Sequence, residues 1–157
     1  MTKASSDTEG RKLVVSNRKA RHEYHVLQTH EAGMVLQGTE VKSLRNGKAN
    51  LQDAFARFSS GELWLYNLHI SPYEAGNRHN HDPLRPRKLL LHRREMQRLV
   101  GEAEQEGLTL VPLDIYFRGG IAKTTLALVR GKKLHDKRED LKTREVKREM
   151  ERAYKLS

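Results

Sequence analysis

The residues best suited to chemistry sit in His79-Asn80-His81-Asp82. A His-x-His pair with a carboxylate beside it can supply the N and O donors of a metal-dependent hydrolase. No further ligand set elsewhere in the chain completes a shell, and Pro72, Pro83 and Pro86 surround the string, so a solvated polar loop is the plainer reading. A second group is His22, His25 and His30, with Glu23 and Glu31 nearby. These can be drawn as acid–base pairs. On alternating strands, however, they point to different faces, and no serine stands in an activating motif. The absence of cysteine excludes thiol nucleophiles, thiolate zinc sites and disulfides, and it suits a reducing cytoplasm. Nothing in these residues asks for an enzyme or a cofactor.

What the chain does supply in quantity is cations. They cluster at Arg18-Lys19-Ala20-Arg21, Arg85-Pro86-Arg87-Lys88, Arg93-Arg94, Arg130 to Lys133 and Lys137-Arg138. The net charge of +10 and the charged content of 32% call for an anionic partner: nucleic acid, an anionic membrane or an acidic protein. Repeated basic clusters favour nucleic acid, because each phosphate neutralised releases counterions. Aromatic residues make up only 6% of the chain, and Phe55 and Trp64 read as core, so no base-stacking platform is evident. Recognition of backbone and shape, as in structured RNA, is the expectation. Met1 to Ser16 has no apolar signal-like run, and no apolar stretch reaches the ~20 residues of a membrane span.

The elements that must position these groups divide the chain in three. Residues 1–16 lack periodicity and read as a mobile arm, 17–130 as a folded domain, and 131–157 as a basic tail. The tail holds ten Lys or Arg against six Asp or Glu, leaving +4 on 27 residues with few apolar side chains. A segment that can form a helix but cannot bury itself needs a partner to order it. Two i,i+4 pairs, Asp140 with Arg144 and Glu151 with Lys155, support that helix. Its stripe of Val146, Met150, Ala153 and Tyr154 is too thin for a membrane-surface helix.

Within the domain, Ser16 or Asn17 caps a short basic helix running to His22. Tyr24 to Leu36 reads as two strands with a bend at Gly33, and Thr39 to Lys48 as one or two helical turns stopped by Gly47. A hairpin joins Ala54–Phe58 to Leu63–Tyr66 through Ser59-Ser60-Gly61. A loop spans His69 to Lys88. The one sizeable helix of the domain covers Leu89 to Ala103, with an apolar stripe of Met96, Leu99, Val100 and Ala103. Leu108 to Leu113 starts the next strand, and a second hairpin joins Ile115–Phe117 to Leu126–Val129 through Gly119-Gly120. The fold class is mainly β with flanking α-helices. A small antiparallel β-barrel of OB-fold type is the first candidate.

Four strings carry a family likeness: Asn17 to Tyr24 (NRKARHEY); Glu31-Ala32-Gly33 on to Gly38–Asn50 (GTEVKSLRNGKAN); Arg87–Leu91 (RKLLL); and Gly131–Arg138 (GKKLHDKR). Through them the chain resembles the small protein B (SmpB) family, the tmRNA-binding (SsrA-binding) proteins of bacterial trans-translation. The resemblance implies an OB-fold-like β-barrel and a C-terminal tail disordered when free and helical when bound. It implies a cytoplasmic, non-enzymatic RNA-binding adaptor, a monomer in its complex with RNA, that needs no cofactor and carries tmRNA to stalled ribosomes. The tmRNA-facing residues it nominates are Asn17, Arg18, Lys19, Arg21, His22, Glu31, Lys42, Arg45, Lys48, Leu91 and Lys123. For the tail it nominates Lys132, Lys133, His135, Asp136, Lys137 and Arg138, facing small-subunit rRNA at the decoding centre and in the empty mRNA channel. Ala153-Tyr154 departs from the bulky apolar pair common near the family's end. A generic ribosome-associated structural protein and the His79–Asp82 hydrolase are the competing expectations.

Overall fold

The computed structural model describes residues 10–132 and 134–156, without the side chains of residues 76–78, 133–137, 140 and 154–156. The chain runs β1 (Arg11–Ser16), α1 (Arg18–Glu23), β2 (Tyr24–Met34), α2 (Gly38–Arg45), β3 (Ala49–Asn50), β4 (Phe55–Ser59), β5 (Glu62–Tyr66) and β6 (His69–Ile70). A short 3₁₀ turn (Glu74–His79) follows, then β7 (Arg87–Leu90), α3 (Arg93–Glu106), β8 (Thr109–Arg118), β9 (Ile121–Gly131) and α4 (Leu134–Leu156).

Seven strands form one antiparallel sheet in the order β1-β8-β4-β5-β7-β2-β9, and β8 also pairs with β9. That last pairing closes the sheet, making a ring of β8, β4, β5, β7, β2 and β9. Since β9 holds one edge of β8 along its length, β1 and β4 must share the other. The ring has six strands, where an OB barrel has five. β3 and β6 pair separately. The ring encloses a core that includes Met34, Leu44, Leu63, Leu65, Leu89, Leu99, Ile115, Phe117 and Leu126. A smaller cluster of Ala20, Val111, Leu113, Ala127 and Val129 lies where α1 packs on the outside of β8 and β9. With both faces covered, Leu110 to Phe117 is buried throughout, which explains its near-continuous apolar run.

Both hairpins form where the turn chemistry places them. Gly119 and Gly120 have φ of 56° and 78°, the left-handed pair that a tight hairpin requires. In the other hairpin Leu63 and Leu65 face the core while Trp64 is only half-buried on the opposite face, as is Phe55 on β4, so neither belongs to the main core. Other expectations change as well. The arm gives up Arg11–Ser16 to β1, which pairs antiparallel with β8, Arg11 opposite Arg118 and Ser16 opposite Asp114. Residues 1–9 lie outside the described residues. β2 is one 11-residue strand that passes through Gly33 without dividing, because Gly33 is paired on both edges, to Leu90 and to Lys123. Leu89 and Leu90 belong to β7 and not to a helix; α3 begins only at Arg93 and ends at Gly107. The expected stripe on α3 holds, with Leu99 buried and Met96, Val100 and Ala103 packed on the core.

Candidate RNA interface

The nominated residues fall into separate groups. On α1, Arg18 and Arg21 are exposed, and Lys19 reaches Asp53 at 2.8 Å, which raises the lysine's pKa above its ordinary value. Asn17 is different. It is 2% exposed, its Oδ1 accepts from Ala20 N at 3.1 Å, and its Nδ2 donates to the carbonyls of Leu51 and Pro112. Its side chain is spent inside the protein, so its part is to cap α1 and hold the basic helix on the barrel. His22 is half-buried on the same helix. Lys132 donates to Arg21 O at 3.5 Å, and its N–H to Glu23 O at 2.8 Å, which seats the start of the tail beside α1.

A second group crosses β1, β2, β8 and β9. Lys123 Nζ and Arg118 Nη1 each lie 2.8 Å from the Glu31 carboxylate, which also accepts from the Tyr116 hydroxyl. Arg11 lies 3.9 Å over the Tyr116 ring and pairs with Asp114 at 2.5 Å. Partial burial alone would raise the Glu31 pKa, but the hydrogen bonds from Lys123 and Tyr116 outweigh it and hold the carboxylate below its ordinary value. Burial, and then the Glu31 carboxylate, push the Tyr116 phenol well above its ordinary value. An ionised acid thus fixes Lys123 and Arg118 in one orientation at the surface.

Register extends this face to β7. Lys123, Gly33 and Leu90 lie opposite one another across three strands, and a Cβ on Gly33 would meet Leu90 Cβ at 3.4 Å. Leu90 is 50% exposed there, whereas Leu91 is partly buried against the core. The leucine on the face of Glu31 and Lys123 is therefore Leu90 and not the nominated Leu91. Strand alternation is the signal that could have found it, had Leu89–Leu91 been read as a strand.

The third group is Lys42, Arg45 and Lys48, exposed on α2 and the turn after it. Arg45 lies 4.6 Å over the Phe117 ring and Lys42 is 5.4 Å from the Tyr73 ring centroid. Within the Arg85–Lys88 run, in contrast, Arg87 turns inward, while Lys88 stays at the surface with Glu62 at 2.8 Å. Arg87 is fully buried; its Nε donates to Glu40 at 2.6 Å, and its other nitrogens to the carbonyls of Leu68, Pro83 and Asp82. Arg85 also donates to Glu40. Burial pushes the Glu40 pKa up, but Arg85, the Gln37 N–H and Arg87 hold it below its ordinary value. This cluster is structural cement between α2 and the loop before β7.

The enzyme-like strings also resolve into structure. His81 is 5% exposed, with Nδ1 at 2.8 Å from Thr39 Oγ1 and Nε2 at 2.8 Å from Ile70 O, so both ring nitrogens are occupied and the loop is not simply solvated. Among the described residues no group of three or more His, Asp or Glu is placed to hold a metal ion. His30 pairs with Glu95 at 2.6 Å and not with Glu31, tying β2 to α3. No described helix is long and apolar enough to cross a membrane. In the tail, Arg138 is exposed, as is every α4 side chain that is described. Lys133 and the side chains of His135, Asp136 and Lys137 lie outside the described residues.

A closed antiparallel barrel that holds Arg18 and Arg21 on α1 and Lys42, Arg45 and Lys48 beside α2 outward, with the exposed Arg138 on the tail, is a protein suited to meet a polyanion. A family model described as SmpB protein matches residues 14–156, and the chain belongs to that family. It is 62% identical over 145 residues to an SsrA-binding protein of Desulforudis audaxviator, spanning 92% of this chain and 95% of the relative. It is 58% identical over 144 residues to an SsrA-binding protein of Carboxydothermus hydrogenoformans, spanning 92% and 97%. A chain of the solved structure described as "tmRNA-SmpB: a journey to the center of the bacterial ribosome" matches with a TM-score of 0.66 and 56% identity, over 81% of this chain and 93% of that one.

Proposed function

We propose that this protein binds the tRNA-like domain of tmRNA and delivers it to stalled ribosomes for trans-translation, in the cytoplasm and with no catalytic step of its own. The observation that carries the reading is the near full-length identity to SsrA-binding proteins, which spans barrel and tail alike. The barrel holds the RNA through α1, the Glu31–Lys123 face and the α2 group. It is read as an OB-type barrel, a reading favoured by the closed antiparallel ring and by α3 inserted ahead of the last hairpin. The tail, free and without fixed order, becomes a helix in the decoding centre and empty mRNA channel. There Lys132, Lys133, Lys137 and Arg138 meet rRNA phosphates, with Asp136 among them, and His135 stacks on a base.

The test separates the two parts. A chain ending at residue 130 keeps full affinity for tmRNA, measured by filter binding, while tagging of stalled nascent chains is lost. Loss of tmRNA affinity in that truncation would overturn the division of labour. Sedimentation with translating ribosomes regardless of stalling would instead favour a structural ribosome-associated role.

A further inference from the structure

Beside α2 lies a cleft of about 350 Å³, walled on one side by Asn46 and Lys48 and on the other by Ser71, Tyr73 and Glu74. Its floor is already satisfied: Ser43 Oγ donates to Ser71 O at 2.6 Å and Ser71 N to Lys48 O at 3.0 Å. Tyr73 is clamped through its backbone, its N–H donating to Asn80 Oδ1 at 2.8 Å and its carbonyl accepting from Asn80 Nδ2 at 2.7 Å. Arg87 and His81 anchor the same loop to α2, through Glu40 and Thr39. The cleft offers the half-buried Tyr73 ring, with Lys42 Nζ 5.4 Å from its centroid, together with the exposed Asn46 amide and the exposed Lys48.

We propose that this cleft takes one unstacked nucleotide of the bound RNA. The base stacks on Tyr73 and displaces the Lys42 ammonium from the ring, the Asn46 amide donates to and accepts from the base edge, and the phosphate sits toward Lys42 and Lys48, away from the Glu74 carboxylate. An aromatic ring beside cations is the pairing that splayed RNA bases use. The rigid floor means the site is formed before the nucleotide arrives, so little ordering cost falls on binding. The inference rests on the RNA-binding reading above and adds a base-contacting subsite to a surface otherwise suited to backbone.

The experiment measures affinity of the full chain for the tRNA-like domain RNA across a salt series, using Tyr73→Ala, Tyr73→Phe and Asn46→Ala, with melting temperatures as the folding control. Tyr73→Ala is expected to weaken binding about 5- to 140-fold with an unchanged salt slope, since stacking and no phosphate contact is lost. Tyr73→Phe keeps the ring and is expected to bind within about twofold of the parent. In a set of RNAs each carrying a single abasic site in an unpaired loop, one is expected to reproduce the Tyr73→Ala loss and to show no further loss with that variant. If Tyr73→Ala melts early, Asn46→Ala and the abasic set decide the matter on folded protein. Unchanged affinity across the folded variants and the abasic set, with the parent binding tightly, would remove the cleft and leave the functional reading standing. Failure of the parent itself to bind this RNA would overturn the functional reading.

Discussion

Leu90 and Leu91 are chemically alike and adjacent, and the end of β7 gives them opposite duties. Leu90 shares the outer face with Gly33, Lys123 and Glu31, while Leu91 packs on the core. Leu90→Ala is therefore expected to weaken tmRNA binding with little change in stability. Leu91→Ala should cost about 1–3 kcal/mol of stability, less than a fully buried leucine, with affinity kept while the protein is folded. Urea unfolding and filter binding on both variants check the split, and the reverse pattern would sink it. Glu40 makes a second test. Glu40→Gln leaves the buried Arg87 guanidinium without its counter-charge and should cost about 3–5 kcal/mol by urea unfolding at neutral pH. Because the folded-state pKa of Glu40 is depressed, its contribution is present above the ordinary value of 4.5 and is lost as pH falls below it toward the folded value. Stability of the parent should thus fall on acidification below about pH 5, and Glu40→Gln should flatten that fall in part. Part of the slope should remain, since Glu31 is shifted in the same direction.

Among the elements, α4 is the one whose order depends least on the rest of the chain. Its 23 residues form a helix, yet every described side chain on it is exposed, so little burial offsets the entropy of ordering it. Its apolar groups do not make a single stripe either: Leu141 lies on a different side of the helix from Val146 and Met150 at 100° per residue. Amides of α4 are expected to exchange far faster than those of β8 and β9 in the free protein, and to gain protection only with stalled ribosomes. Slow exchange of α4 in the isolated protein would contradict this. α3 behaves oppositely. Leu99 is buried and His30 and Gln28 on β2 reach Glu95 and Glu102 at 2.6 Å each, so this helix belongs to the barrel.

At the scale of the molecule, charge is divided by use. Arg85 and Arg87 are consumed by Glu40 and Arg11 by Asp114, while α1, α2 and the tail carry exposed cations such as Arg18, Arg21, Lys42, Arg45, Lys48 and Arg138. Binding of tmRNA should weaken steeply with salt, and each phosphate-contacting cation removed from the barrel should lower the log–log slope by about 0.7–0.9. Arg18→Ala with Arg21→Ala is the direct trial, read as the slope of affinity against salt. The parent slope persisting in that double variant would place the RNA elsewhere on the barrel.

Local chemistry alone determined a good deal here: the two hairpins at Ser60-Gly61 and Gly119-Gly120, the capped basic helix after Asn17, the stripe on α3 and the uncovered tail. Each depends on neighbours in sequence, through turn dihedrals, caps or helical period, so the residues themselves carry the information. The four ordered strings were also enough to point to the family. Pairing between distant segments carried the rest. Leu89-Leu90-Leu91 has no period that separates a buried strand from a helix; only its place between β5 and β2 decides. An arginine inside a basic run looks like its neighbours until Glu40, 47 residues away, claims it, and His81 looks like a ligand until Thr39 and Ile70 close around it. Tyr73 meets Lys42 only when α2 packs beside the loop after β6. Burial and charge pairing are properties of the packed chain, and long-range partners are invisible to spacing along one sequence.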